Sequence, residues 1–249
     1  MRDQRKRSLL RALIATALAL AVLVGAFAIY VGDYYRVDDA ALAAHAEVCE
    51  GYAYVGFLDD GTVIFRPDEP RAGFIFYPGG KVEYTAYIPL MAALAERGIA
   101  CLLPKMPCNL AVLDMNAADG MLEAIPDVTE WYIGGHSLGG SMAASYVASH
   151  TDEFAGLVLL GAYSTADLSA TSLRVLSLYG SEDGVMNAEK YGKYRENLPA
   201  DFVEVILEGG NHAGFGMYGA QKGDGVATMT GEEQIALAAE HIAGIILGN

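Results

Sequence analysis

The chain contains little cysteine and none of the residue spacings that bind metals. Three cysteines, Cys49, Cys101 and Cys108, occur in 249 residues without a C-x-x-C pair. Such a sparse, odd set predicts neither a disulfide scaffold nor a structural zinc site. The sequence also has no P-loop, no H-E-x-x-H pair and no calcium-binding loop. We therefore expect a protein that works without a metal or another cofactor.

Positive charge is scarce after the first eleven residues. The whole chain has a formal net charge of −15, but residues 1–11 carry five basic side chains against Asp3 alone. Their net charge of +4 leaves −19 for the rest of the chain. This balance excludes a basic surface for nucleic acid. Since there is also no internal repeat or second domain boundary, we expect one acidic globular domain.

A long hydrophobic run directly follows the basic arm. Residues 12–31 contain no charged side chain, and twenty helical residues are long enough to cross a bilayer. The positive-inside rule places the arm in the cytoplasm and everything after residue 31 outside. Ala26-Phe27-Ala28 resembles a cleavage site, so a cleaved signal is the alternative to an uncleaved anchor. We divide the chain into an arm (1–11), an anchor or signal (12–31), a connector (32–49) and a folded domain (50–249).

The rest of the sequence alternates between strand-like and helix-like patterns. Residues 52–57 and 62–66 predict two strands joined by the hairpin turn Asp59-Asp60-Gly61. Helical patterns at 86–97, 138–150 and 230–247 then lie among short apolar runs. Those runs, which predict six further strands, are 74–77, 99–103, 131–133, 157–160, 175–178 and 202–206. The pattern predicts an α/β fold with a mostly parallel, doubly wound sheet of about eight strands and an antiparallel N-terminal hairpin.

A serine inside a glycine-flanked pentapeptide carries the strongest chemical signal. Gly135-His136-Ser137-Leu138-Gly139 follows an apolar run and precedes a helical pattern, which predicts a strand, a sharp turn and a helix. Side chains at the two outer glycines would collide with a backbone that holds the serine in a strained conformation. The pattern therefore predicts Ser137 as a nucleophile.

A nucleophilic serine needs a base and an acid, and both are available downstream. His212 lies in a loop after the last predicted strand, so it is the expected base. Asp183 follows the preceding strand, which brings it to the same sheet edge as Ser137 and makes it the expected acid. Glu182 and Asp167 are the alternative acids. The other histidines, in the connector, the pentapeptide and helical runs, are His45, His136, His150 and His241.

The remaining requirement is a pair of N–H donors for a negatively charged oxygen. One is expected from Leu138, the residue after the nucleophile. The other is expected from the loop Pro78-Gly79-Gly80-Lys81, because its glycines allow the backbone to approach a ligand closely. Gly80 is the expected donor in that loop, and Lys81 is the alternative.

These residues resemble the α/β-hydrolase superfamily, and within it a group of compact single-domain serine hydrolases without a large cap. The resemblance covers about residues 50–248 and implies an α/β-hydrolase fold, with Ser137, Asp183 and His212 as its catalytic triad. The sequence departs from the superfamily in one place, because Pro78-Gly79 stands where many members have His-Gly. The blocks that carry the resemblance are Tyr77-Pro78-Gly79-Gly80-Lys81-Val82-Glu83, Lys105-Met106-Pro107, Gly134-Gly135-His136-Ser137-Leu138-Gly139-Gly140 and Tyr179-Gly180-Ser181-Glu182-Asp183-Gly184.

The leading functional hypothesis is an exported serine hydrolase that acts on a small acyl substrate. A carboxylic ester is expected before a thioester or an amide. A noncatalytic binding domain that keeps this fold is one alternative, and an acyltransferase with the same triad is another. The expected partners are the acyl substrate and a membrane, contacted through residues 12–31. The sequence gives no oligomeric state.

Overall fold

The structure is a computed structural model that describes residues 2–38 and 53–248. It divides into two units, Met1–Tyr34 and Tyr35–Asn249. Most of the predicted connector lies outside the described residues, and so do His45 and Cys49. Tyr35, which the sequence pattern assigns to the connector, belongs to the second unit and forms an isolated parallel bridge with Val82.

The first unit is a single helix, α1, which spans Arg2–Gly32. The basic arm and the uncharged run are thus parts of one continuous helix. Its segment Gln4–Gly32 is long and apolar enough to cross a membrane, and its most apolar stretch has no buried residue. A helix of this composition near the N-terminus is compatible with either a signal anchor or a signal sequence.

The second unit contains an eight-stranded sheet with the order β1-β2-β4-β3-β5-β6-β7-β8. β1 pairs antiparallel with β2, β2 pairs antiparallel with β4, and the remaining pairs are parallel. This confirms the predicted fold class. The strands are β1 Ala53–Phe57, β2 Val63–Pro67, β3 Ala72–Tyr77, β4 Ile99–Leu103, β5 Trp131–His136, β6 Gly156–Leu160, β7 Arg174–Gly180 and β8 Val203–Leu207.

The hairpin turn between β1 and β2 follows from its sequence. Gly61 has a φ of +87°, which glycine adopts without the steric penalty of a side chain. The Asp60 carboxylate accepts the N–H of Thr62 at 2.8 Å, a local bond typical of aspartate in turns. The register that results sets Phe57 opposite Val63.

Among residues 53–248, four α-helices accompany the sheet: α2 Ile88–Ala95, α3 Leu138–Val147, α4 Ala188–Tyr194 and α5 Gly231–Leu247. α2 is shorter than the predicted span because its first turn, Tyr84–Tyr87, is a 3-10 helix. α5 begins with the capping box of Thr230 and Glu233, and it ends at Gly248 in the left-handed conformation. α3 ends three residues before its predicted end.

β3 is buried along its whole length and separates two apolar layers. Phe74 and Phe76 pack in the layer that contains α2 and α5. Ile75 and Tyr77 point the other way, into the layer that contains α3. Because side chains alternate along a strand, one short apolar run fills both layers. The carboxyl ends of the parallel strands then meet at one edge, where the loops carrying the predicted site residues begin.

Candidate active site

Ser137 lies in the turn between β5 and α3. Its backbone has φ 53° and ψ −122°, a conformation that strains any residue with a side chain. The Ser137 N–H donates to the Leu160 carbonyl at 2.9 Å, which ties the turn to β6. A methyl group on Gly135 would lie 2.8 Å from the backbone of Gly139. The turn therefore requires glycine at that position, as the sequence analysis argued.

The loops after β7 and β8 bring Asp183 and His212 together. Asp183 Oδ2 lies 2.8 Å from His212 Nδ1, and the two side chains are 2% and 1% exposed. The other carboxylate oxygen, Oδ1, accepts the N–H groups of Val185 at 2.9 Å and Met186 at 2.8 Å. These bonds fix the carboxylate. A proton on Nδ1 then satisfies Asp183 and leaves Nε2 as the basic nitrogen of His212.

The two alternative acids lie elsewhere. Glu182 is exposed, and its carboxylate accepts the hydroxyl of Ser181 at 3.2 Å. Asp167 is also exposed and accepts both the N–H and the hydroxyl of Ser169, at 3.0 and 2.6 Å. Asp183 is therefore the only one of the three candidate carboxylates that contacts His212 in the described part of the chain.

Gly161 allows the Asp183–His212 pair to lie close to the sheet. It follows β6 directly and has a φ of +53°. A methyl group there would lie 2.9 Å from His212 Nδ1 and 3.1 Å from Asp183 Oδ2. Gly161 was not among the residues expected at the site, and its position immediately after an apolar run was the available signal.

His212 Nε2 is buried and has no hydrogen-bond partner among the described residues, so the structure does not join it to Ser137 Oγ by a hydrogen bond. Ser137 itself is half-buried. Hydrogen bonds between catalytic groups are often long or poorly aligned until substrate binds. The unpaired Nε2 is therefore free to accept a proton.

The two predicted N–H donors lie beside each other. Leu138 is the first residue of α3, where the N–H groups have no partner within the helix. A methyl group on Gly80 would lie 2.8 Å from Leu138 Cδ2, so the loop after β3 touches the start of α3. The N–H of Lys81 donates to the Asn109 carbonyl at 2.7 Å, whereas that of Gly80 has no acceptor among the described residues. Gly80 is therefore the available donor of the two alternatives.

His136 is buried behind this edge of the sheet and is hydrogen-bonded to Tyr87. The Tyr87 hydroxyl lies 2.7 Å from His136 Nδ1, and it accepts the N–H of Gly79 at 3.1 Å. A hydroxyl that accepts one bond still has its own proton to donate, so we assign that proton to His136 Nδ1. Tyr87 thereby connects the loop after β3 to the residue before Ser137.

The environment keeps His136 uncharged. Burial, followed by the charge of His212, holds the pKa of His136 well below its ordinary value of 6.5. Burial also raises the pKa of Tyr87 far above its ordinary value. The rings of His136 and His212 lie 4.4 Å apart between centroids. Because His136 stays neutral, it does not repel a positive charge that forms on His212.

The other described histidines are remote from Ser137. His150 stacks on Tyr146 with ring centroids 4.0 Å apart. His241 is in α5 and lines a cavity of about 710 Å³ together with Arg71 and Arg97. These two arginines lie just before β3 and β4, so the cavity is at the amino-terminal edge of the sheet. That edge is opposite the one where the predicted site residues meet.

The thiols and acidic side chains of the described residues do not form a metal site. Cys101 is buried and Cys108 is exposed, and both are free thiols. Burial raises the pKa of the Cys101 thiol far above its ordinary value, so it stays protonated. Within residues 2–38 and 53–248, no group of three or more His, Cys, Asp or Glu side chains is arranged to hold a metal ion.

Two residues that the sequence analysis missed brace the loop of His212. Gln234 is fully buried; its Oε1 accepts the N–H of Asn211 at 3.0 Å and its Nε2 donates to the Asn211 carbonyl at 2.7 Å. The side chain of Asn211 in turn accepts the N–H of Gly214 at 2.9 Å. Nothing in the sequence distinguishes Gln234 from a surface glutamine of α5, because only the folded loop shows what it contacts.

Solved structures share this fold at low sequence identity. A predicted CIB-like hydrolase from Thermoplasma acidophilum has a TM-score of 0.56 and 16% identity, over 77% of this chain and 98% of that chain. Est1E from Butyrivibrio proteoclasticus has a TM-score of 0.55 and 15% identity, over 80% of this chain and 100% of that chain. A membrane phospholipase A, described as a bacterial virulence factor, has a TM-score of 0.56 and 15% identity, over 96% of this chain and 98% of that chain. A search of curated proteins finds no match.

Sequence comparison with family models gives a more specific result. The model described as the alpha/beta hydrolase family matches residues 73–236, which is more than half of the chain. The matched span runs from β3 into α5, so it includes every predicted site residue. Together with the fold, this match supports a hydrolase. The chain belongs to the alpha/beta hydrolase family.

Proposed function

We propose that the protein is a serine hydrolase that cleaves carboxylic esters through an acyl-enzyme. The observation that carries the proposal is the buried Asp183–His212 hydrogen bond of 2.8 Å, at the sheet edge where Ser137 is held in a strained turn. A strained serine, an oriented imidazole and unpaired N–H groups together are the parts that acyl transfer requires. The proposed catalytic residues are Ser137, His212 and Asp183.

In the first half of the reaction, Ser137 Oγ attacks the carbonyl carbon of the ester. His212 Nε2 takes the hydroxyl proton, and the carboxylate of Asp183 stabilises the imidazolium that forms. The carbonyl electron pair moves to the oxygen, which the N–H groups of Leu138 and Gly80 bind. When this pair returns, the bond to the alcohol breaks. His212 gives the alcohol its proton, and the acyl group remains on Ser137.

In the second half, water replaces the alcohol. His212 takes a proton from water, the resulting hydroxide attacks the acyl carbon, and Ser137 leaves with the proton that His212 returns. The products are a carboxylic acid and free enzyme. The neutral state of His136 supports this sequence, because the rings of His136 and His212 are 4.4 Å apart and two positive charges there would repel each other.

We also propose that the enzyme is held at a membrane by residues 12–31, with residues 1–11 in the cytoplasm and the domain outside. The uncharged helix and the basic residues before it support this orientation. The fold shared with a membrane phospholipase A is consistent with both ester cleavage and a membrane location. Membrane fractionation, followed by protease treatment of intact cells, tests the orientation; a domain that resists protease in intact cells would contradict it. A mature N-terminus near residue 29 would instead show a cleaved signal.

Labelling with a fluorophosphonate probe tests the catalytic proposal. Wild-type protein should be labelled at Ser137, because the base and the N–H donors activate that hydroxyl. Ser137→Ala should abolish labelling, and His212→Ala should slow it by several orders of magnitude. Ser141→Ala is the matched control: Ser141 lies one helical turn further on, and its hydroxyl donates to the Tyr163 carbonyl. A folded protein that is not labelled would favour a binding domain.

A further inference from the structure

We propose that Asp224 is a positioning residue that holds His212 against Asp183; this inference rests on the proposed function. The carboxylate of Asp224 accepts backbone N–H groups from both loops that supply the proposed acid and base. On the base loop, the donors are His212 at 3.2 Å and Ala213 at 2.8 Å. On the acid loop, the donor is Gly184, the residue after Asp183, at 3.1 Å.

The two oxygens of Asp224 divide these bonds unequally. Oδ1 accepts from His212, from Gly184 and, at 2.9 Å, from Gly225. Among the described residues, Oδ2 accepts from Ala213 alone. Four converging N–H groups form a concave site for a negative charge, in which an ionised carboxylate fits because all its contacts are acceptors. An amide at this position would direct an N–H₂ group at one of these donors.

The backbone around Asp224 also fits tightly against both loops. A methyl group on Gly184 would lie 2.6 Å from the Gly223 carbonyl oxygen, and one on Gly225 would collide with the Glu182 carbonyl. On the base side, the Asn211 side chain donates to the Gly225 carbonyl at 2.9 Å. Segment 223–225 therefore touches the acid loop and the base loop at once. Its position is set by contacts with both.

This arrangement helps to set the relative position of the two proposed catalytic side chains. The Asp183 carboxylate is fixed by bonds within its own loop, from Val185 and Met186. The backbone of His212 is tied to that loop by Asp224, in addition to the Asp183–His212 bond itself. Loss of Asp224 would let the imidazole shift relative to Ser137, and a shift of about 1 Å can reduce a catalytic rate about 100-fold.

The test compares Asp224→Ala and Asp224→Asn with wild type in full-length protein, by fluorophosphonate labelling and by p-nitrophenyl acetate hydrolysis. The alanine variant leaves all four N–H groups without the carboxylate, whereas the asparagine variant keeps one oxygen. We expect a labelling rate and a kcat lowered about 10- to 100-fold for alanine, and less for asparagine, with KM nearly unchanged. Asp167→Asn is the matched control, because it removes the same charge from an exposed aspartate whose carboxylate is bonded to Ser169 and makes no hydrogen bond to the described part of the His212 loop.

The final fraction of protein that is labelled separates a positioning role from a merely structural one. If Asp224 only positions His212, each variant should still be labelled to a final fraction near one. Slow but complete labelling, partly restored by added formate in the alanine variant, supports the inference. A fraction that falls in proportion to folded protein, with an unchanged rate for the remainder, overturns it. Labelling of both Asp224 variants at the wild-type rate also overturns it, while leaving the proposed function intact. Wild-type protein that is not labelled at Ser137 would reject the proposed function and this inference with it.

Discussion

The hydroxyl of Tyr87 offers a precise test of how the loop after β3 is held. Replacing Tyr87 with phenylalanine keeps the ring and removes two hydrogen bonds, one from the Gly79 N–H at 3.1 Å and one to His136 Nδ1 at 2.7 Å. Both groups would stay buried without a partner. Each buried polar group left unpaired costs about 1–3 kcal/mol, so about 4 kcal/mol is expected for the pair.

For a domain of this size, about 4 kcal/mol corresponds to a fall in Tm of about 8–16 °C, at about 2–4 °C for each kcal/mol. Thermal unfolding followed by circular dichroism measures this directly. Tyr84→Phe is the matched control, because Tyr84 begins the same 3-10 helix and its hydroxyl makes no hydrogen bond to a described residue. Its Tm should change by less than about 2 °C, because this substitution keeps the ring and leaves no described hydrogen-bond partner unpaired.

The same substitution should also lower activity, because Gly79 precedes Gly80, the proposed oxyanion donor. Complete loss of such a donor lowers kcat about 100- to 1000-fold, so indirect displacement should cost about 10-fold. The loss should not depend on pH between 6.5 and 10.0, since the pKa of His136 is lowered from 6.5 and that of Tyr87 is raised from 10.0. An unchanged Tm together with an unchanged kcat would refute the hydrogen-bond assignment.

Three further predictions concern the proposed acid, the oxyanion donor and the N-terminal helix. Asp183→Asn should lower kcat about 10⁴-fold, because an amide cannot stabilise the imidazolium, whereas Glu182→Gln should have little effect; a larger loss for Glu182→Gln would contradict the acid assignment. Gly80→Ala should lower kcat at nearly constant KM, since the added methyl would lie 2.8 Å from Leu138 Cδ2; equal activity would exclude a close approach there. Deletion of residues 1–31 should give a soluble enzyme with wild-type kcat, measured after size-exclusion chromatography, and loss of folding would show that the helix is part of the domain.

Strands made of apolar side chains were predictable almost to the residue, whereas β5, which has two glycines near its end, was not. The bounds of β4 are those predicted, because each of its five residues is apolar and buried. β5 extends three residues beyond its predicted end, to His136. Gly134 and Gly135 have no side chain to reveal a buried strand, and a methyl on Gly134 would lie 2.8 Å from Val158 Cβ. Because these glycines have no side chain, this part of the strand could not be predicted from an apolar pattern, and β5 can approach β6 closely there.

The proposed nucleophile, base and acid were predictable because topology constrains them. Each follows a parallel strand, and the carboxyl ends of parallel strands meet at one edge, so chain order alone places them together. The residues that hold them have no such constraint. Asp224 lies in a loop of 15 residues between Phe215 and Gly231, where no strand or helix sets a register. Its role follows only from the four N–H groups that the folded chain directs at its carboxylate.

Burial decides at which of these positions a substitution should separate stability from catalysis. Gln234 and Tyr87 are buried, and each bonds to the backbone of a loop that carries a proposed catalytic group. Loss of either leaves buried polar groups unpaired, so stability and activity should fall together. Asp224 is only half-buried, so water can reach the N–H groups that its removal exposes. Its loss should therefore cost relatively little stability while still releasing His212 from the acid loop. Of these three positions, Asp224 is thus the one where a substitution should change catalysis with the least interference from unfolding.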